Sequence, residues 1–567
     1  MTERGVSWSP ARLVAAASRR PAALVCLAAA AVYALSVRNG FAYDDVPLIP
    51  LDPRVHSLGN LPAILAQPYW PVAGQELAIW RPLTTLSFAI DWALSGGAAA
   101  WFHLVNVLWH VAACILVLRL LRELFAPPAA LAGALLFAVH PVHVEAVANV
   151  VGRGDVMAAV FALAACLLWI RRPDQETRPA ARTVIAASAL FALALFAKES
   201  AVMLPALLLL LDAARGRWRL SGATIRPYAR AVAPAFAALA LVLAGYLGLR
   251  AAVLDSFAPA RVHPAADVLG SRWHLILTSL QAWPHYLRLL LFPRTLLIDY
   301  GPRIIMPATT WTSSAVLGLT ILVGLVLGGV LALARGRGRT ALGLLWLPVA
   351  ILPLSNLLFT TGVLVAERTL YLPSFAAAVG FAGASGAMAL LASAHRRRAL
   401  QAFAAAAIAL LAGRTVIRVP EWESTERIFA SLARDRPDSF RAHWILGRAA
   451  RQEGDREAAG RHYAEALRLW PYRQGMLAEV AAFAVQEGHA TQALEIAAFA
   501  ARHWPASVDA QRLLAAVAFD LGDTAAARAA IDAGLRLAPG DSLLHRLRLS
   551  LPDTASARRE PLDSKEP

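Results

Sequence analysis

Lysine is almost missing from this chain: Lys198 and Lys565 stand alone, and the rest of its 54 basic residues are arginine. Cysteine is nearly as scarce. Cys26, Cys114 and Cys166 all lie inside apolar runs, which excludes a disulfide framework. Polar residues are too few for an ordinary soluble protein, since 58% of the 567 residues are hydrophobic and the mean hydropathy is +0.53. The net charge of +16 does not require a nucleic-acid partner, because the arginines cluster in short loops between apolar runs. Their excess over lysine, in an alanine-rich chain, points to a GC-rich bacterial genome.

Apolar runs long enough to cross a bilayer recur from residue 21 to about 417. Beyond residue 420 the chain turns charged and amphipathic. The expected fold is therefore all-α: a polytopic membrane helix bundle over 1–417, a linker helix over 418–436, a helical repeat array over 437–545, and a disordered tail over 546–567. Crossings are expected near 21–37, 101–122, 128–143, 153–170, 183–197, 199–213, 229–250, 311–334, 341–360, 369–392 and 399–417, about eleven in all. The first follows Arg19 and Arg20 without a convincing cleavage site before Asn39, so it reads as a retained signal anchor. Basic clusters stay in the cytoplasm. That rule places Arg119/Arg122, Arg171/Arg172, Arg215/Arg217/Arg219, Arg335/Arg337/Arg339 and Arg396/Arg397/Arg398 inside with the N-terminus. It leaves the loop over 38–100 and the repeats outside, in the periplasm or beyond a bacterial inner membrane. Residues 273–292 are apolar but broken by Pro284, His274, His285 and Arg288, and read as an interfacial or re-entrant helix.

Pro437, Pro471, Pro505 and Pro539 are spaced by 34 residues, and so are Gly454, Gly488 and Gly522. A 34-residue period with Gly between two helical halves and Pro at the end is the tetratricopeptide pattern. In "AHWILGRAARQEGDREAAGRHYAEALRLWP", Trp444, Leu446, Gly447 and Tyr463 take the positions that pattern requires. About three helix pairs then stack into a short solenoid, which reads as a protein-docking surface or as a stabilising cap.

Ionisable residues at membrane depth are expensive, so each is a candidate site residue. Asp44 and Asp45 open the first outer loop in "NGFAYDDVPLIP". His103, Asn106 and His110 share one helix face in "FHLVNVLWH". "HPVHVEAVANVVGRGD" supplies His140, His143, Glu145, Arg153 and Asp155 around Pro141. "FAKES" supplies Lys198 and Glu199, and "VAERTLYLP" supplies Glu367, Arg368 and Tyr371. Plainer readings stand beside these. His103 and His110 suit hydrogen bonds between helices, Lys198–Glu199 suits an interfacial anchor, and Asp44–Asp45 suits a solvated turn. His140, His143 and Glu145 lack the i, i+4 histidine pair of a metalloprotease helix, and no Cys lies near, which argues against zinc.

The run "FAYDD", "WRPLTTLSFAID", "FHLVNVLWHVAACILVLRLL", "FAVHPVHVEAVANVVGRGDVMAA", "LFAKES", "LLFPRTLLIDYG" and "ERTLYLPS", followed by the repeats, resembles the transmembrane-and-tetratricopeptide-repeat O-mannosyltransferases and their bacterial relatives. The similarity covers about residues 38 to 545 in order. It implies a GT-C class glycosyltransferase that takes sugar from a polyprenyl-phosphate carrier, with an acidic pair in the first outer loop as catalytic centre, here Asp44 and Asp45. Animal members of the family mannosylate cadherin-type domains from dolichyl-phosphate mannose. A bacterial relative would use undecaprenyl or a similar carrier, which leaves the sugar and the acceptor open.

The residues suit that chemistry. A carboxylate can take the acceptor's proton. Arg81, Arg153, Lys198 and Arg368 are candidates to hold the departing phosphate. Some members of the class use a divalent metal and others do not, so metal dependence stays open. Expected partners are the lipid-linked sugar, the bilayer and a protein reached through the repeats. Two other readings remain: a ligase or polymerase of polyprenyl-linked glycans, and a non-catalytic scaffold that docks proteins through its repeats.

Overall fold

The computed structural model describes residues 20–70, 79–173, 178–255, 268–391 and 393–552. Residues 553–567 of the expected tail, and Arg19, lie outside the described residues. The described chain is helical, with no strand. It divides into two compact units, Met1–Pro437 and Asp438–Pro567.

Numbering only helices of nine residues or more, the first unit contains α1 Pro21–Tyr33, α2 Pro82–Ser95, α3 Ala99–Arg122, α4 Pro127–Val139, α5 Arg153–Ile170, α6 Ala181–Ala197, α7 Leu204–Ala214 and α8 Gly222–Leu254. It continues through α9 Arg272–Leu280, α10 Ala282–Leu291, α11 Ser313–Ala334, α12 Gly338–Ile351, α13 Phe375–Leu391, α14 Ala394–Arg418 and α15 Thr425–Asp435. Among the described residues, six stretches are long and apolar enough to cross a membrane, starting with Pro21–Arg38 and ending with His395–Glu423. A seventh is a pair, Pro127–Val139 and Pro141–Val147, bent by 44° at its break. Pro141 explains the bend: it has no N–H to continue the ladder, and the His140 side chain instead accepts from the Val142 N–H at 3.2 Å. Three shorter apolar helices, Ala181–Ala197, Gly338–Leu354 and Phe375–Met388, accompany them. The stretch 273–292 is α9 and α10, which meet at Gln281; at 1.5 Å per residue neither reaches across a bilayer.

The two ends of α5 lie in different networks. Arg153 and Asp155 open the helix. At its far end Asp212, fully buried, accepts from Trp169, Arg172, Arg217 and Tyr228. A buried carboxylate is tolerated only when neutralised and hydrogen-bonded in this way.

Segment 418–436, expected as a linker, packs within the first unit. Asn39 Nδ2 donates to the Val419 carbonyl at 3.0 Å, and the Gly40 N–H donates to the Glu423 carbonyl at 3.0 Å. A Cβ at Gly40 would sit 3.2 Å from that same oxygen, so the absence of a side chain permits the close approach.

The second unit is a set of helix pairs: α16 Phe440–Glu453 with α17 Arg456–Leu469, α18 Gln474–Gln486 with α19 Ala490–His503, and α20 Val508–Asp520 with α21 Thr524–Leu537. A last helix, α22 Ser542–Ser550, buries Leu544 against the third pair. The in-phase glycines end the first helix of each pair in left-handed backbone, with φ of 83°, 78° and 75° at Gly454, Gly488 and Gly522. Caps repeat as well: Asp455 and Asp523 accept from the N–H three residues on, and so do Ser439 and Ser507. Each is worth about 1 kcal/mol. A Cβ at Gly447 would come within 2.8 Å of the Tyr463 ring, which explains the small residue in the motif.

Candidate functional site

The acidic pair follows a strained residue. Tyr43 has φ of +52°, a left-handed conformation costing a residue with a Cβ about 1–2 kcal/mol. Its N–H donates to Thr425 Oγ1 at 2.8 Å, and its ring meets Phe429 edge-on, centroids 5.1 Å apart.

The turn sends the two acids in different directions. Asp45 is fully buried. Its Oδ1 accepts from the Val151 N–H at 2.7 Å, and its Oδ2 accepts from Val150 at 3.3 Å and Ala42 at 3.2 Å. Burial pushes this carboxyl up to about 7, and the three backbone donors oppose the rise. Asp44 keeps 14% of its side chain exposed, with Oδ2 3.4 Å from Arg368 Nη2.

Arg368 is the hinge of the cluster. Its Nη1 donates to Glu145 Oε1 at 2.5 Å, and its backbone N–H donates to Glu145 Oε2 at 3.0 Å. Glu145 itself is buried; Arg368 stays 20% exposed. Beside this lies a second pair, Lys198 Nζ to Asp155 Oδ2 at 2.5 Å, nearly buried on both sides. The third is Arg81 with Glu199. Arg81 Nε donates to Oε2 at 2.9 Å and a terminal nitrogen donates to Oε1, so the fork is bidentate. Burial alone would raise Glu199, but the Arg81 charge and hydrogen bonds outweigh it and hold the carboxyl at about 2. The Arg81 guanidinium also lies 5.1 Å from the centre of the Tyr69 ring. A small cavity of about 20 Å³, lined by Asp155, Ala158, Ala159, Ser200, Ala201 and Thr369 among others, lies beside the Lys198 pair.

The remaining candidates brace this assembly from inside. Arg153 is fully buried, bonded to Asp91, to Asn106 Oδ1 at 2.6 Å and to the Phe102 carbonyl at 3.0 Å. In that setting it is walled off from the exposed acid and faces α2 and α3 instead. Asn106 Nδ2 lies 3.2 Å from the carbonyls of Val147, Asn149 and Val150, the turn whose N–H groups hold Asp45. His103 Nε2 sits 3.1 Å from the Gly40 carbonyl. His110 bridges Tyr371 Oη at 2.7 Å and the Ala138 carbonyl at 3.0 Å. His143 pairs with Ser374 Oγ at 2.8 Å, and His140 with the Leu290 carbonyl at 3.1 Å. Glu367 accepts from the Leu297 N–H and Tyr300 Oη at 2.6 and 2.8 Å. These are the helix-bridging bonds that buried polar side chains require.

Among the described residues no group of three His, Cys, Asp or Glu gathers as metal donors. The Asp45 oxygens are taken by three N–H groups and those of Glu145 by Arg368, so the donor set does not suit a metal, and no step below runs through one. Asp91, Tyr69, Thr425 and Phe429 also meet these residues. Asp91 ends the stretch "WRPLTTLSFAID", an acid in an apolar run, whereas nothing in the sequence near Thr425 marks it.

Residues 82–244 match the family model described as dolichyl-phosphate-mannose-protein mannosyltransferase, and 484–551 match a tetratricopeptide repeat. The chain is 26% identical to a protein O-mannosyl-transferase of Caenorhabditis elegans, over 79% of this chain and 62% of that one. Human protein O-mannosyl-transferase TMTC4 is 28% identical over 78% of this chain and 64% of its own, and the mouse protein of that name 30% identical over 76% and 64%. The chain thus spans just under two thirds of the length of these relatives.

Proposed function

Since the chain is a relative of the transmembrane-and-tetratricopeptide-repeat protein O-mannosyl-transferases, we propose that it is a GT-C type membrane glycosyltransferase. It moves mannose from a polyprenyl-phosphate carrier to a hydroxyl group of a protein on the outer face of the membrane. The observation that carries this reading is the exposed half of the acidic pair: Asp44, on a strained turn, 3.4 Å from the partly exposed Arg368.

Asp44 is the base. Its carboxylate takes the proton of the acceptor hydroxyl as that oxygen bonds to the anomeric carbon. The bond from that carbon to the phosphate oxygen breaks, and its electrons leave on the polyprenyl phosphate. One displacement without a covalent enzyme intermediate inverts the anomeric centre. Arg368 and Arg81 supply the positive charge the departing phosphate needs, and their fork geometry suits phosphate oxygens. Lys198, paired with Asp155, adds charge near this site. Asp45 has no free oxygen to offer and acts by holding the turn. The repeats supply affinity for the acceptor protein.

The test is mass spectrometry of glycopeptides and lipid-linked sugars from a strain lacking this gene. Loss of O-mannosylated peptides, with the polyprenyl-linked mannose retained, supports the proposal. Altered lipid-linked glycans with intact glycopeptides would favour a glycan ligase; no change in either would favour a scaffold.

A further inference from the structure

The geometry points to Thr425 and Phe429 as positioning residues for Asp44. The segment that precedes the repeats would then set the aim of the base. This inference rests on the reading of Asp44 as that base.

Three observations converge. Tyr43 holds a conformation that a residue with a side chain adopts only when its surroundings impose it. The groups that impose it come from α15: Thr425 Oγ1 accepts the Tyr43 N–H, and Phe429 meets the Tyr43 ring. Both are fixed in turn. Thr425 is the first residue of α15, whose Ser424 cap accepts from the Arg427 N–H at 3.2 Å, and Phe429 is fully buried. The contact is one of several stitches, with Asn39 to Val419 and Gly40 to Glu423 flanking it. Asp44 follows Tyr43 directly, so relaxing Tyr43 to ordinary backbone swings the carboxylate away from Arg368. Asp45 stays anchored by the Val150 and Val151 N–H groups. Neither Thr425 nor Phe429 needs to touch substrate for this. A displacement of about 1 Å at a reacting group can cost on the order of a hundredfold in rate.

The experiment uses the full chain in detergent, radiolabelled mannose on undecaprenyl phosphate and, in a parallel series, on dolichyl phosphate, and protein extract of the deletion strain as acceptor. Thr425→Val keeps shape but removes the acceptor oxygen. It should lower kcat about tenfold with KM for the donor unchanged, and Thr425→Ser should restore most of the loss. Tyr43→Gly removes the need for imposed strain. In that background Thr425→Val should cost less than about twofold. Should Thr425→Val fail to insert, Phe429→Leu carries the same expectation. A Thr425→Val chain as fast as the parent, or one equally impaired with and without Tyr43→Gly, would overturn the positioning role and leave the proposed function standing. Failure of the parent chain to transfer any mannose would instead sink the proposed function.

Discussion

Asp44 and Asp45 are neighbours in the chain and opposites in setting. Asp45 is fully buried with both oxygens engaged by backbone N–H groups, while Asp44 faces Arg368 at 3.4 Å with part of its surface exposed. A turn at Tyr43 with positive φ separates their directions. On the proposed mechanism one acid reacts and the other holds the turn, so the pair should respond differently to the same substitution.

Asp44→Asn keeps the size of the side chain and removes its charge. Turnover should fall about a hundred- to ten-thousand-fold, the usual worth of a general base. Insertion and donor binding should survive. Normal mannose transfer by this variant would remove the centre of the proposed mechanism.

Asp45 should govern stability through pH. Folded, it holds its proton up to about 7, against an ordinary value of 3.8. Below the ordinary value both states are protonated and the contribution is complete. Between about 4 and 7 the unfolded chain ionises first, so stability is lost as pH rises; above that the loss levels off. Its size is on the order of 4 kcal/mol. The Tm of the purified chain should fall across this window, and Asp45→Asn should flatten that part of the curve. A parallel pair of curves would refute the assignment.

Arg153 and Arg368 should part ways. Arg153→Ala strands the buried Asp91 carboxylate and should cost about 3–5 kcal/mol of stability. A double substitution, Arg153→Met with Asp91→Leu, should recover much of that. Arg368→Ala likewise removes the side-chain partner of the buried Glu145 carboxylate and should lower Tm too, but it should in addition raise the donor KM while lowering kcat, because the charge meets phosphate in both ground and transition states. Weakened donor binding in the well-folded double variant would return Arg153 to the donor site.

The place of truncation matters. A chain ending after Pro437 keeps the whole first unit and should still release mannose from the lipid donor, slowly, while losing protein acceptors. A chain ending at Glu423 lacks Thr425 and Phe429 and should lose both. Equal donor turnover by the two would contradict the bracing of Tyr43 by α15.

Arg171, Arg172, Arg215 and Arg217 gather at the end of α5 opposite Arg153 and Asp155. The positive-inside rule predicts that this end is cytoplasmic. A reporter active only outside the cytoplasm, fused after Ser550, should therefore score positive. A reporter active only inside would invert the topology.

The fold was legible because each unit is built on a period. Long apolar runs interrupted by arginine define the helices of the first unit, and the 34-residue register of Pro and Gly defines those of the second. The residues that meet around Asp44 were legible too, because an ionisable group in an apolar run needs a reason. Their pairing was not. The pairing of Arg153 could not be read because its partner, Asp91, sits in another helix 62 positions earlier. The partners of the histidines, backbone carbonyls for His103 and His140 and the Ser374 and Tyr371 hydroxyls for His143 and His110, leave no trace in a sequence. Thr425 was invisible for the same reason: its role is set by a contact 382 residues away.

That long-range stitch has a bearing on how the protein is made. The acidic loop leaves the ribosome early, whereas α15 follows some 380 residues later. At about 5–20 residues per second, the interval is roughly 20–80 s. On the proposed mechanism the nascent chain holds Asp44 without the brace that aims it, and a half-made chain meeting a lipid-linked sugar would be kept from reacting until the membrane unit is all but finished.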